Sequence, residues 1–250
     1  MRGPDPLWAT WLARWDRFQE AYAPHRETQL ALMCEYVSLV WGTANVRVLD
    51  LCSGPGSIAG RLLDLFPEAA VVAVDLDPWL LELGKQTSHA EIAWVEADLR
   101  SPDWVESLPH REFHAVLVAT SMQWFEPDEV ERIYGEIAGV LVEDGVFLTS
   151  DVIASGTPDV ERLARTALAE WRREETARSD TDDWQSFWRG VRSEPRFAAL
   201  VDERDRRFGP RRPFEHSALP FHENALVRAG FSEVGEVWRY HENAILLAKR

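Results

Sequence analysis

Two carboxylates and a pair of glycines carry the first chemistry in this chain of 250 residues. Residues 46–51 form an apolar run interrupted only by Arg47 and by an acid, Asp50. Gly54 and Gly56 follow, and then Ile58, Leu62, Leu63 and Leu65 fall on one side of a helix. Glycines there leave backbone with no Cβ, so a ligand can lie directly against the turn. The helix behind them points its free N–H groups at that ligand. Gly54-x-Gly56-x-x-Ala59 satisfies a dinucleotide fingerprint, with Asp75 placed as the ribose-binding acid. Asp50 argues the other way, since a negative charge ahead of the glycines suits a cationic ligand better than a pyrophosphate. On these residues alone both ligands stay open.

The elements that must hold these groups read as alternating strands and helices. Strands are expected at 46–51, 71–74, 91–95, 113–119 and 145–150, because apolar and β-branched residues fill them. Helices are expected from Pro78 through Leu83, and over 127–141 with Val130, Ile133, Ile137 and Val140 on one face. This alternation predicts an α/β fold with a doubly wound, mostly parallel sheet, and right-handed crossovers line Asp50, Asp75, Asp98 and Ala119 along one rim. Two helices precede the sheet, Pro6 to Tyr22 and His25 to Trp41, broken at Pro24. Residues 1–42 are therefore read as a helical cover over the rim. Residues 43–154 and 219–250 form the core, and 155–218 a helical insertion with Val160, Leu163 and Leu168 at helical spacing. The last helix, 219–229, leads into two strands at 231–238 and 241–248, giving seven strands in all.

Composition narrows the partners. The formal net charge of −15 argues against a nucleic-acid backbone and against anionic membranes. There is no signal-like start and no apolar run of membrane-spanning length, so a cytoplasmic protein is expected. Cys34 and Cys52 are read as reduced thiols. No His/Cys/Asp cluster has metal-ligand spacing, so no metal is expected. The oligomeric state is not readable.

The stretch Asp50-Leu51-Cys52-Ser53-Gly54-Pro55-Gly56 resembles motif I of class I S-adenosylmethionine-dependent methyltransferases, with Cys52 standing where that motif usually has its first glycine. The terminal strand pair resembles the same fold, and Ala119-Thr120-Ser121-Met122-Gln123-Trp124-Phe125 is similar to the segment after the fourth strand in small-molecule members of the trans-aconitate type. The resemblance implies S-adenosylmethionine as cofactor and a small-molecule acceptor. It implies cofactor contacts from Asp50, Cys52, Gly54 and Gly56, from Asp75 and Leu76 at the ribose, and from Asp98 and Leu99 at the adenine. Ala119 and Thr120 would face the methionine part, Arg26 its carboxylate, and Tyr22 the cofactor beside the sulfonium. Trp15, Phe18, Gln123 and Trp124 are expected to line the acceptor side. If the acceptor needs a base, Asp151 and His25 are the first candidates, with His216 and His222 behind them. The alternatives are an NAD(P)-binding oxidoreductase, a protein of this fold that binds the cofactor without transferring methyl, and a protein-binding module with an empty turn.

Overall fold

A computed structural model of the chain describes residues 5–42, 45–179, 181–208 and 217–250. Its centre is a seven-stranded sheet in the order β3-β2-β1-β4-β5-β7-β6. The strands are β1 (Arg47–Leu51), β2 (Ala70–Asp75), β3 (Ile92–Glu96), β4 (Phe113–Ala119), β5 (Leu141–Val152), β6 (Glu233–Tyr240) and β7 (Asn243–Lys249). The first five pair in parallel. The last two form a hairpin whose return strand β7 slots antiparallel between β5 and β6. The chain reverses direction of travel between β1 and β4, and such a switch point leaves a crevice beyond the strand ends.

Period-two alternation divides the core. Leu49 and Leu51 of β1, Val72 and Val74 of β2, and Val116 and Val118 of β4 face one side. There they meet Ile133, Tyr134 and Ile137 of α5 (Pro127–Val140) and Leu226 of α9 (Leu219–Arg228). Val48, Val71 and Leu117 face the other side, against Met33 and Val37 of α2 (Arg26–Trp41) and Ile58 and Leu62 of α3 (Ser57–Leu65).

A third core lies off the sheet. Trp8, Trp11, Trp15 and Phe18 of α1 (Pro6–Tyr22) pack on Trp79 and Leu83 of α4 (Pro78–Thr87). The same cluster takes Phe187, Trp188 and Val191 of α7 (Trp184–Ser193) and Val201 of α8 (Ala198–Phe208). Trp79 is its hub, with ring centroids 5.5–6.3 Å from Trp8, Trp11, Phe187, Trp188 and Phe197. The first helix and the segment after β5 therefore share one hydrophobic core above α4, which seats both over the rim.

The segment expected to be helical after β5 opens with the long helix α6 (Pro158–Ser179). Val160 and Leu163 are exposed, and Leu168 is its one buried residue. The apolar spacing there is too sparse to form a stripe, and α6 presents a largely charged surface to water. Among the described residues no helix is long and apolar enough to cross a membrane.

Candidate functional site

The turn after β1 is built on left-handed backbone. Cys52, Gly54 and Gly56 all have positive φ, at 52°, 54° and 80°. An L side chain in that region costs about 1–2 kcal/mol, which is the physical reason a glycine would be easier at position 52. A Cβ added at Gly56 would stand 2.7 Å from the Trp94 ring, so that position has no room for one. Gly54 donates its N–H to Asp75 Oδ2 at 2.7 Å, and Asp77 N–H bonds Asp75 Oδ1 at 2.8 Å. One carboxylate thus ties the glycine turn to the end of β2. Asp77 in turn caps α4 through Trp79 and Leu80 N–H, ahead of Pro78 in the first helical turn.

Two opposite charges meet the first turn of α3. Asp50 Oδ2 accepts from Ala59 N–H at 3.1 Å, while its buried Oδ1 has no partner. Arg26 Nη2 donates to Ser57 Oγ at 2.8 Å, while its buried Nη1 has no hydrogen bond and lies 3.5 and 3.7 Å from the Glu27 and Asp16 carboxylates. Burial pushes the Asp50 carboxyl up to about 8, and the Asp75 charge adds to the rise. Burial and the neighbouring Asp77 charge push Asp75 up to about 6. Burial lowers Arg26, and Asp16 opposes that.

These groups line a single cavity of about 950 Å³. That is near the top of the range for small-molecule sites, roughly 300–1,000 Å³. Of the residues expected at the site, Tyr22, Arg26, Asp50, Cys52, Gly54, Asp75, Leu76, Asp98, Leu99, Ala119 and Thr120 line it, as do Trp15, Gln123 and Trp124. Gly56 sits behind the wall, as the left-handed N-cap of α3. Asp98 lies at the β3 end, where Arg100 binds both of its oxygens. Burial raises its carboxyl, and the Arg100 bonds outweigh that and hold it below the ordinary range.

Four expectations are corrected. Phe18 is 2% exposed and stacks on Phe187 at 5.1 Å, in the helical core and off the cavity wall. Asp151 is 2% exposed and also off the wall. Its Oδ2 accepts from Ser121 and Met122 N–H at 2.9 and 2.6 Å, and its Oδ1 from Val152 N–H. Its work is to hold the chain after β4, so it is a positioning residue and not a base. His25 adopts φ 55°, is exposed, and packs edge-on to Tyr240 at 4.5 Å, away from the cavity. His222 is buried against the Tyr134 hydroxyl at 2.7 Å, and burial lowers it to about 4, so it stays neutral as part of the core. His216 lies outside the described residues. Among the described residues no group of three or more His, Cys, Asp or Glu side chains could hold a metal.

Asp151→Asn is expected to destabilise the fold by about 1–2 kcal/mol, because four backbone N–H groups lose a charged acceptor. Urea unfolding measures this. The pH dependence of any turnover should keep its shape, since the carboxyl does not meet the cavity.

Sequence reasoning missed Trp184, Trp188, Phe208, Gln29 and Arg204, all of which line the cavity. Trp184 and Trp188 share a helix face at i, i+4, a signal that was present in the segment 155–218. Gln29 accepts from Ser150 Oγ and donates to Pro24 O, which fixes the break between α1 and α2 to the end of β5. Arg204 carries no local signal, because its partner Asp77 is far away in sequence.

Residues 48–145 match the family model described as a methyltransferase domain. A malonyl-[acyl-carrier protein] O-methyltransferase of Geobacter sulfurreducens is 29% identical over 134 residues, 50% of this chain and 46% of the relative. A demethylmenaquinone methyltransferase of Thermus thermophilus is 31% identical over 112 residues, 44% of this chain and 48% of the relative. A trans-aconitate 2-methyltransferase of Azoarcus is 33% identical over 81 residues, 32% of this chain and 29% of the relative. The chain spans less than half the length of each of these curated relatives. The crystal structure of magnesium protoporphyrin IX methyltransferase from Synechocystis with bound SAH is 14% identical and covers 94% of both chains with a TM-score of 0.59, which is a likeness of fold.

Proposed function

We propose that this chain, a class I methyltransferase by the domain match over residues 48–145 and by its sheet order, binds S-adenosylmethionine and directs its methyl group to a small-molecule acceptor. The observation that carries this reading is the pair of orphaned atoms at the start of α3. Asp50 Oδ1 and Arg26 Nη1 lack hydrogen-bond partners, and both residues line the same cavity. An α-amino acid offers the complement to both, an ammonium for Asp50 and a carboxylate for the Arg26 fork. A dinucleotide offers neither an ammonium nor a lone carboxylate. The donor set therefore fits a nucleoside ending in an amino acid.

In this reading Asp75 would take the ribose hydroxyls, its oxygens already set by Gly54 and Asp77 N–H. Leu76, Asp98 and Leu99 would border the adenine at the ends of β2 and β3. Thr120 would face the methionine part, its left-handed backbone held by a Ser150 carbonyl. When bound, the cofactor supplies an activated methyl: the acceptor's lone pair bonds to that carbon while the carbon–sulfur bond breaks toward sulfur. The chain's part is alignment and exclusion of water, which for such steps reaches effective molarities of roughly 10⁵–10⁸ M. Trp15 reaches the glycine turn, 3.7 Å from where a Gly54 Cβ would stand, and so covers it from above.

Isothermal titration with S-adenosylhomocysteine and with NAD tests the reading. S-adenosylhomocysteine is expected to bind, and Arg26→Gln to weaken it roughly tenfold by loss of a charged hydrogen bond. Binding of NAD alone would replace methyl transfer with a redox reading.

A further inference from the structure

We infer that the acceptor is a flat, conjugated, largely apolar molecule bearing a hydrogen-bond-accepting group, gripped by an aromatic wall drawn mostly from α1, α7 and α8. The inference rests on the cofactor reading above and adds the acceptor class to it. Among the aromatic side chains that line the cavity are Trp15, Tyr22, Trp124, Trp184, Trp188 and Phe208. Trp184 joins them. Its ring centroid lies 6.1 Å from Trp124, 6.4 Å from Tyr22 and 5.9 Å from Trp188.

These rings differ from the core aromatics beside them. Phe187, Phe197 and Trp79 are wholly buried and complete their packing within the helical core. Tyr22, Trp184 and Phe208 are only half-buried, and Trp124 is 37% exposed. Large apolar rings left partly bare inside a concave cavity are surface that a ligand can cover, and flat π-faces at these spacings favour a flat π-partner. Two donors accompany them. Trp15 Nε1 and Trp188 Nε1 are buried without a hydrogen-bond partner, on rings that line the same cavity. An acceptor oxygen or nitrogen on the ligand would satisfy them.

The cavity's described arginines are already committed. Arg26 of α2 bonds Ser57 at the start of α3 and is assigned above to the cofactor's carboxylate, Arg100 binds Asp98, and Arg204 binds Asp77 at 2.6 Å while stacking 3.6 Å above the Trp188 ring. The wall also comes mostly from outside the matched domain, since α1, α7 and α8 lie beyond residues 48–145. The acceptors named for the curated relatives therefore do not transfer with the domain.

The test titrates three probes into protein saturated with S-adenosylhomocysteine: quercetin as a planar polyphenol, trans-aconitate as a tricarboxylate, and malonyl-coenzyme A as an acyl thioester. Quercetin is expected to bind saturably and to quench tryptophan fluorescence. Trp184→Ala should weaken it roughly tenfold or more, Trp184→Phe should restore most of that loss, and both variants should keep their S-adenosylhomocysteine affinity, which verifies the fold. Binding of trans-aconitate or malonyl-coenzyme A with quercetin excluded overturns the inference and leaves the cofactor reading standing. An unchanged quercetin affinity in Trp184→Ala also overturns it. Failure of the wild-type protein to bind S-adenosylhomocysteine removes the cofactor reading, and this inference falls with it.

Discussion

Asp75→Ala is expected to weaken S-adenosylhomocysteine binding by about 3 kcal/mol, roughly a hundredfold, because it removes charge-assisted bonds to the ligand and the anchor of the glycine turn together. The Gly54 and Asp77 N–H groups both end on this carboxylate, so the alanine variant orphans two buried donors. Asp75→Asn keeps one acceptor oxygen but turns its NH2 toward either the Gly54 or the Asp77 N–H, so it loses the charge and one of the two anchors and should cost less than the alanine. Calorimetric titration of the two variants, with thermal melts to establish folding, reads the difference. A folded Asp75→Ala with unchanged affinity would take Asp75 out of the site.

The same carboxylates set a pH dependence. Asp75 sits at about 6, so below that pH its proton competes with the ligand and affinity should fall. Asp50 at about 8 acts on stability. Its carboxyl ionises near 3.9 in an unfolded chain. Between that value and pH 8 the folded protein holds a proton that the unfolded chain has released, so stability falls as pH rises through the window. His222, lowered to about 4, acts in the opposite sense, but only up to the ordinary histidine range. The clean interval is therefore pH 6.5–8, bounded below by free histidine and above by Asp50. There the ligand-free protein should lose about 1 kcal/mol per pH unit. An ammonium beside Asp50 relieves this burial of charge, so the gain in Tm on adding S-adenosylhomocysteine should grow across the same interval. A ligand-free Tm that rises from pH 6.5 to 8 would contradict it.

The sheet was readable because its first four strands are short and dense in apolar and β-branched residues, and because Asp50, Asp75 and Glu96 fall at or beside the ends of the first three, where the crossover rule brings them to one rim. Asp50 and Asp75 were legible for the same reason: position at a strand end constrains where a side chain can go. Asp151 shows the limit of that logic. It ends β5 as Asp75 ends β2, yet its oxygens turn to the backbone of Ser121 and Met122 instead of the cavity. Spacing places a Cα, and the partners of the carboxylate depend on the conformation of a loop thirty residues away in sequence. Trp15 and Phe18 make the same point on a helix. They are three residues apart on one stripe, but the helix meets α7 along that stripe, so Phe18 is covered by Phe187 and Trp15 reaches Gly54. Which aromatic is wall and which is core depended on a helix whose docking no local pattern encodes.

Arg204 is the case where a distant pairing decides most. Its guanidinium is 6% exposed and binds Asp77, itself 2% exposed, at 2.6 Å, fastening α8 to the cap of α4. Arg207 reinforces the fastening through the Leu76 carbonyl at 3.0 Å and the Glu96 carboxylate at 2.7 Å. Arg204→Met keeps the apolar stem against Trp188 but leaves the buried Asp77 charge alone. Removing one partner of a buried pair costs about 3–5 kcal/mol, so this variant should be among the least stable single substitutions, read by urea unfolding. Adding Asp77→Asn removes the stranded charge while the amide oxygen still caps Trp79 and Leu80, so the double variant should recover a large part of the loss. The effect should also reach the site. The Asp77 charge already pushes Asp75 upward, and Arg204 offsets part of Asp77's charge. Without Arg204, Asp75 should titrate higher, and the pH below which S-adenosylhomocysteine affinity falls should move up from about 6. Arg204→Met with wild-type stability and an unshifted pH midpoint would mean that α8 is held by the aromatic core alone. A lost stability with an unmoved midpoint would confine Arg204 to the fold and separate the fastening of α8 from the electrostatics of the nucleoside site.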